Sequence, residues 1–172
     1  MNFILRIFMT FSSVSFFLII FLVQNEINPY KIQLGDYAWV TYAVYVTAPF
    51  LLTLISLGIC KLLSKSTINK IISIETSNND FLANYLAFFF VALSIKGLAT
   101  FWIVFGMTIL FTFVSRVSYF NPIFLVFGFN FYYVHTGENV KVMLISRKKL
   151  KNPQSFESMS VRRINDYTFI EI

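Results

Sequence analysis

The sequence predicts a membrane α-helical protein, four transmembrane helices followed by a small cytosolic β-rich C-terminal domain. Three observations predict it. The 172 residues are 57% hydrophobic and only 13% charged, with 22 Phe, against about 25% charge in a soluble chain. Charged residues are spaced so that long neutral runs separate them. Past residue 127 the apolar pattern changes from continuous to alternating. So much apolar surface exceeds what one small core hides, since a domain of about 150 residues leaves roughly a third of its unfolded-chain surface exposed.

The neutral runs set the spans. Residues 7–25 lie between Arg6 and Glu26, and 37–60 between Asp36 and Lys61. Both are long enough for the roughly 20 residues that a hydrocarbon core demands. They predict spans at about 5–24 and 38–60. The flank VQNEINPY lacks a small-residue cleavage site, so the first run reads as a span and not as a signal peptide. Trp39, Tyr42 and Tyr45 suit an interfacial aromatic belt at the start of the second. Pro49 is a candidate kink, its freed carbonyl met by a neighbouring helix or by Thr47 or Thr53.

The third run, 81–95, ends at Lys96. Fifteen residues rise only about 22 Å, short of a core near 30 Å. Ser77-Asn78-Asn79-Asp80 offers capping residues that would start the helix among headgroups. The run then reads as a span over 80–96, with Lys96 snorkelling and Lys96-Gly97 turning tightly into a fourth span over 98–118. The rival is a single tilted span across 86–108 that buries Lys96, at a cost of several kcal/mol. Ala83 and Ala87 are candidate helix-packing residues at small-xxx-small spacing. Residues 1–120 thus form a transmembrane domain and 121–172 a cytosolic one.

Asn121-Pro122 suits a helix start, and 122–127 reads as a short interfacial turn or helix. Phe127, Phe129, Phe131 and Tyr133 then alternate with Gly128, Asn130, Tyr132 and Val134, a period of two. His135 to Asn139 is rich in turn residues, with His135 read as solvated, and Val140 to Ser146 alternates again, which predicts a hairpin. An open hairpin cannot sit in lipid, because its edges carry unpaired backbone groups. Residues 147–160 read as polar loop. Asn165-Asp166 reads as a turn before a third strand ending the chain. Three strands make a marginal core, so docking against the helices, sister subunits or a partner is expected to stabilise it.

Of 14 Lys and Arg, 11 fall between spans two and three or after span four, and Arg6 precedes span one. The positive-inside rule then puts both ends of the chain in the cytosol. Arg147, Lys148, Lys149 and Lys151, with Arg162 and Arg163, are candidate partner- or headgroup-contacting residues. The first four would lie near anionic headgroups, with an acidic partner surface as the second reading. Arg162 and Arg163 point to opposite strand faces and could pair with Glu157, Asp166 or Glu171. Direct nucleic-acid binding is not expected, because no nucleic-acid module accompanies the charges.

Chemistry is scarce. One His and one Cys, His135 and Cys60, make no metal set, and no cofactor is expected. No nucleotide loop or hydrolase elbow occurs. No enzyme is expected. A sensor, anchor or inhibitor handing its output to another protein fits better.

Phe120-Asn121-Pro122-Ile123-Phe124-Leu125, Gly128 to Tyr132, Val142 to Arg147 and Arg163 to Ile170 follow in order. With four spans in a short chain, they resemble the membrane subunit of the Kiwa anti-phage defence system, the KwaA family. That resemblance implies a bacterial inner-membrane protein that self-associates as a homotetramer. It implies a cytosolic effector subunit of the KwaB kind, docked on the C-terminal domain, and detection of phage at the membrane. Two readings of other classes stay open: an immunity protein against a pore-forming bacteriocin, and a small channel or transporter.

Overall fold

The computed structural model describes residues 3–27, 38–115, 121–138, 140–150 and 158–172; within these the side chains of residues 38, 80–84 and 115 are left aside. Helix α1 spans Phe3–Gln24 and α2 Ala38–Cys60. Strands β1, Lys65–Asn69, and β2, Ile71–Thr76, follow. Then come α3, Asp80–Ser94, α4, Leu98–Ser115, and the short α5, Pro122–Val126. Strands β3, Asn130–Thr136, β4, Lys141–Ser146, β5, Ser158–Asn165, and β6, Thr168–Ile170, complete the chain.

Membrane-type helices joined to a β module stand as expected, while length and composition alone do not support a count of four spans. Among the described residues two helices, Phe3–Gln24 and Trp39–Cys60, are long and apolar enough to cross a membrane. The described apolar stretches of α3 and α4, Tyr85–Ser94 and Leu98–Val114, are shorter. The cause is length: 15 residues of α3 rise about 22 Å. The helix does break at Ile95–Gly97, so two helices occupy the region where a single tilted one was the alternative. Asn79 takes the cap position of α3 but makes no side-chain cap bond. Its neighbour Asn78 is used elsewhere, accepting from Phe131 N at 2.9 Å and donating to Asn130 Oδ1 at 3.1 Å.

The β module is larger than expected and is not confined to the C-terminal part. Among the described residues six strands form one sheet in the order β1-β5-β6-β4-β3-β2. All pairs are antiparallel except β4 with β6. The segment 65–76, read as an inter-span loop, supplies both edges. The chain passes from β1 directly into β2 through Lys70, whose φ of 49° makes the corner. Because the two edges meet there, the sheet curls into a half-barrel. Thr67, Ile68, Ile71, Ile72, Ile74 and Thr76 are β-branched and carry that strand signal.

Alternation divides the sheet into two packed faces. Ile68, Tyr132, Val134, Val142, Leu144 and Val161 line the concave core. Phe129, Phe131, Met143, Ile145, Ile164 and Ile170 face the helices, packed with Leu5 and Met9 of α1 and with Leu57, Cys60 and Leu63 at the end of α2. Along β5 the same alternation sends Met159 and Val161 to the inner core and Ile164 to the outer face, and the register with β6 shifts between Arg163 and Asn165. His135 is half-buried in β3, opposite Lys141, and is not at the solvated turn expected for it, because β3 runs on through Thr136. The turn follows at Gly137. The expected turn at Asn165-Asp166 is present, with Asn165 Oδ1 accepting from Tyr167 N at 2.7 Å.

The helices pack through aromatic rings. Phe21 stacks on Phe101 with centroids 3.8 Å apart, and Phe17 stacks on Phe101 and Phe105. Phe113, near the other end of α4, meets Phe3 edge-on at 6.0 Å. Helix α4 therefore runs antiparallel to α1 along nearly its whole length. Gln24 Nε2 donates to Leu93 O at 2.9 Å, so the α3–α4 turn lies level with the end of α1 that is remote from the sheet.

Candidate functional site: the junction of helices and sheet

The helices and the sheet meet at a buried polar node. Asn121 caps α5, its Oδ1 accepting from Ile123 N at 3.0 Å, with Pro122 at the first helical position. Its amide donates to Ser12 Oγ of α1 at 2.5 Å and to Thr53 Oγ1 of α2 at 3.0 Å. Ser12 and Thr53 are themselves 2.7 Å apart, and Thr53 Oγ1 donates to Pro49 O at 2.8 Å. The proton count closes. With the Thr53 proton on Pro49 O, Ser12 donates to Thr53, and the two amide protons of Asn121 go one to each hydroxyl. All three residues are buried. A satisfied node in an apolar surround is rigid, because any displacement leaves a polar group without a partner.

Pro49 is buried on the inner side of α2 and the helix runs through it. Thr53 answers the carbonyl of Pro49 itself, and Thr47 that of Val44. Neither meets the Tyr45 carbonyl that the proline deprives of an N–H. Thr53 and Asn121 were each legible for a local role, but their meeting with Ser12 was not, since it joins three distant segments.

Below the node, a cleft of about 660 Å³ opens between the end of α2 and the rim of the half-barrel. Leu54, Leu57 and Gly58 form its helical wall. Lys61, Arg147, Lys148 and Glu171 bring charge to it, beside Phe129. The Arg147 guanidinium lies 4.5 Å over the Phe129 ring. Lys148 Nζ pairs with Glu171 Oε1 at 2.5 Å, while the Ser146 hydroxyl contacts the other oxygen of Glu171. Lys61 was legible only as a charge ending span two, and Glu171 was read as a possible partner of Arg162 or Arg163, whereas it pairs with Lys148.

The other candidate residues are dispersed. Arg162 Nη1 donates to Leu63 O at 2.7 Å, tying β5 to the end of α2. Arg163 pairs with Asp166 at 2.6 Å across the exposed β5–β6 turn. Lys149 is exposed, and Lys151 lies outside the described residues. Ala87 is exposed on α3; the side chain of Ala83 lies outside the described set. Near the start of α1, Arg6 lies 4.1 Å over the Phe113 ring and donates to the carbonyls of Phe113 and Val114. It caps the end of α4 as a cation suits a helix C-terminus.

Among the described residues no three His, Cys, Asp or Glu side chains come together as a metal site. The arrangement is suited to mechanical coupling and charge recognition. Among known proteins, a family model described as "Anti-phage protein KwaA" matches residues 5–170. No curated protein and no solved structure matches the chain.

Proposed function

The chain belongs to the KwaA family of anti-phage proteins, and on that premise we propose that it is a non-catalytic membrane sensor and scaffold. Its helices detect phage at the bacterial inner membrane. Its half-barrel docks a cytosolic effector subunit of the KwaB kind, within a homotetramer. The observation that carries this reading is the shared core: the start of α1, the end of α2 and the outer sheet face are packed as one body and pinned by Asn121. A shift of α1 against α2 within the bilayer must then strain the sheet or break the node, so a membrane event has a physical route to the cytosolic side.

In this reading all four helices cross. Apolar side chains are exposed on each of them, as on Phe11 of α1, Leu51 of α2, Phe90 of α3 and Ile103 of α4. Such a belt is costly in water and ordinary in lipid. Helix α4 covers the same interval as α1 from Phe21 to Phe3, so a bilayer that holds one holds both. The short α3 is accommodated by local thinning or by Lys96 snorkelling, each a modest cost.

Affinity capture in mild detergent tests the docking claim. One cytosolic protein should co-purify in fixed ratio, and Ile72→Asp with Tyr167→Asp, at exposed apolar positions of the module, should reduce its recovery. If the same protein is recovered equally when the half-barrel is replaced by an unrelated soluble domain, the docking role fails.

A further inference from the structure

We propose that the cleft between the end of α2 and the half-barrel holds one anionic phospholipid, its phosphate at the basic rim and an acyl chain along α2. This rests on the reading that α2 crosses the bilayer with the sheet on its cytosolic side.

The cleft is two-faced. One wall is apolar, from Leu54, Leu57 and Gly58. A Cβ built on Gly58 meets nothing within 4 Å, so the missing side chain leaves real space there. Above the cleft, Leu51, Leu54 and Ile55 are exposed at 58%, 49% and 47%. Together with Gly58 they follow the three-to-four residue spacing of one helix face. That face is a continuous apolar track leading from the cleft into the span. The opposite rim is cationic. Glu171 neutralises Lys148. Lys61 and Arg147 have no carboxylate partner among the described residues, and Arg147 rests on an aromatic ring. Two uncompensated cations remain beside an apolar track. A soluble phosphate would use the rim and leave the track bare, and so would an acidic protein segment. A lipid with an anionic headgroup satisfies both halves.

The full-length protein, reconstituted and then extracted in mild detergent, provides the test by native mass spectrometry of retained lipid. Phosphatidylglycerol should be retained in preference to phosphatidylcholine, and free glycerol phosphate should not displace it. Lys61→Gln with Arg147→Gln should weaken retention about fivefold for each charge removed, the equivalent of the roughly 1 kcal/mol per basic residue near an anionic surface. Gly58→Phe should also expel the lipid while leaving the rim charges in place. Lys141→Gln, whose residue lies outside the cleft, should change nothing. Equal retention of the two lipids, displacement by glycerol phosphate, or retention unaffected by the double substitution would each overturn the proposal. So would loss of a co-purifying protein from the double variant while phosphatidylglycerol stayed bound, which would assign the rim to an acidic partner. Flotation with phosphatidylcholine vesicles separates the two levels. A protein that inserts but shows no lipid preference refutes the cleft alone, whereas one that fails to insert refutes the membrane reading and the cleft with it.

Discussion

The Asn121 amide donates to the Ser12 hydroxyl at 2.5 Å across 109 positions of sequence. The same amide reaches Thr53, so one side chain joins the first two helices to the short helix that leads into the sheet. Asn121→Ala removes a cap oxygen and two donors at once and should cost about 2 kcal/mol. Asn121→Asp keeps the cap oxygen but offers acceptors where the hydroxyls need donors, so it should not rescue. Ser12→Ala alone should cost about 1 kcal/mol. Because the two residues share a partner, the double variant Ser12→Ala with Asn121→Ala should be less destabilised than the sum. Thermal unfolding in detergent measures all four; strict additivity would mean that the node does not act as a unit.

Lys70 and Gly137 form a close contact at the corner of the half-barrel. A Cβ on Gly137 would lie 3.0 Å from the Cβ of Lys70, and Lys70 holds a φ of 49°. Gly137→Ala should therefore destabilise the sheet by about 1 kcal/mol. Lys70→Gly relieves left-handed backbone strain and removes the atom that would clash. It should be neutral or stabilising, and it should make Gly137→Ala harmless. Urea midpoints of the four corners of this double-mutant cycle decide the matter.

Arg6 clasps the end of α4 through the Phe113 ring and two carbonyls. Lysine keeps the charge but loses the planar fork and the stacking. Arg6→Lys should loosen the end of α4 by about 1 kcal/mol, and Arg6→Met by more. Hydrogen exchange at the backbone amides of 110–115 should rise in that order, with the concave core of the sheet unchanged. Equal exchange in both variants would mean that the charge contributes nothing and that the planar fork and stacking carry the clasp alone.

The Ser146–Glu171–Lys148 chain separates a buried hydrogen bond from an exposed ion pair. Ser146 is fully buried and accepts from Lys148 N at 2.9 Å. The Lys148 side chain is 66% exposed. Ser146→Ala should cost about 1–2 kcal/mol, since it leaves a backbone donor and a half-buried carboxylate short of a partner. Lys148→Met should cost under about 1 kcal/mol, because water and salt screen the pair. If added salt weakened the parent protein as much as Ser146→Ala does, the ranking would be reversed.

What the sequence disclosed was local. Neutral runs bounded by Arg6, Glu26 and Lys61 disclosed α1 and α2. Asn121-Pro122 disclosed α5 and its cap. The aromatic alternation from Phe129 to Tyr133 disclosed β3 and its division into two faces, though not which of them packs on the helices. Strands β1 and β2 were hidden because 65–76 lies between spans, where charge and Ser suggest loop. Only pairing with β5 and β3, some 60 to 100 positions away, makes those residues strands. The Ser158–Ser160 start of β5 was hidden for the same reason. The parallel contact of β4 with β6 has no local signature, and neither has the placing of Lys61 and Arg147 on one cleft. Both exist only once the sheet has curled back against α2.

Crossing parity is the last expectation, and two residues read it out. Lys96 is exposed in the α3–α4 turn, level with the end of α1 by the Gln24–Leu93 and Phe21–Phe101 contacts. Lys141 is exposed on the sheet, which packs on the start of α1. A 22-residue helix separates those levels by about 33 Å, the thickness of a bilayer core. In a Cys60→Ala background, Lys96→Cys should react with a membrane-impermeant maleimide in cells whose outer membrane has been permeabilised. Lys141→Cys should react only after the inner membrane is broken. Cys60 itself is buried, so its removal should alter labelling little. If both positions label from outside, or both only after lysis, then α1, α3 and α4 do not cross and the sheet is not held on the cytosolic side by them. If the pattern is inverted, the bundle crosses but the module faces outward, and a cytosolic effector cannot be its partner.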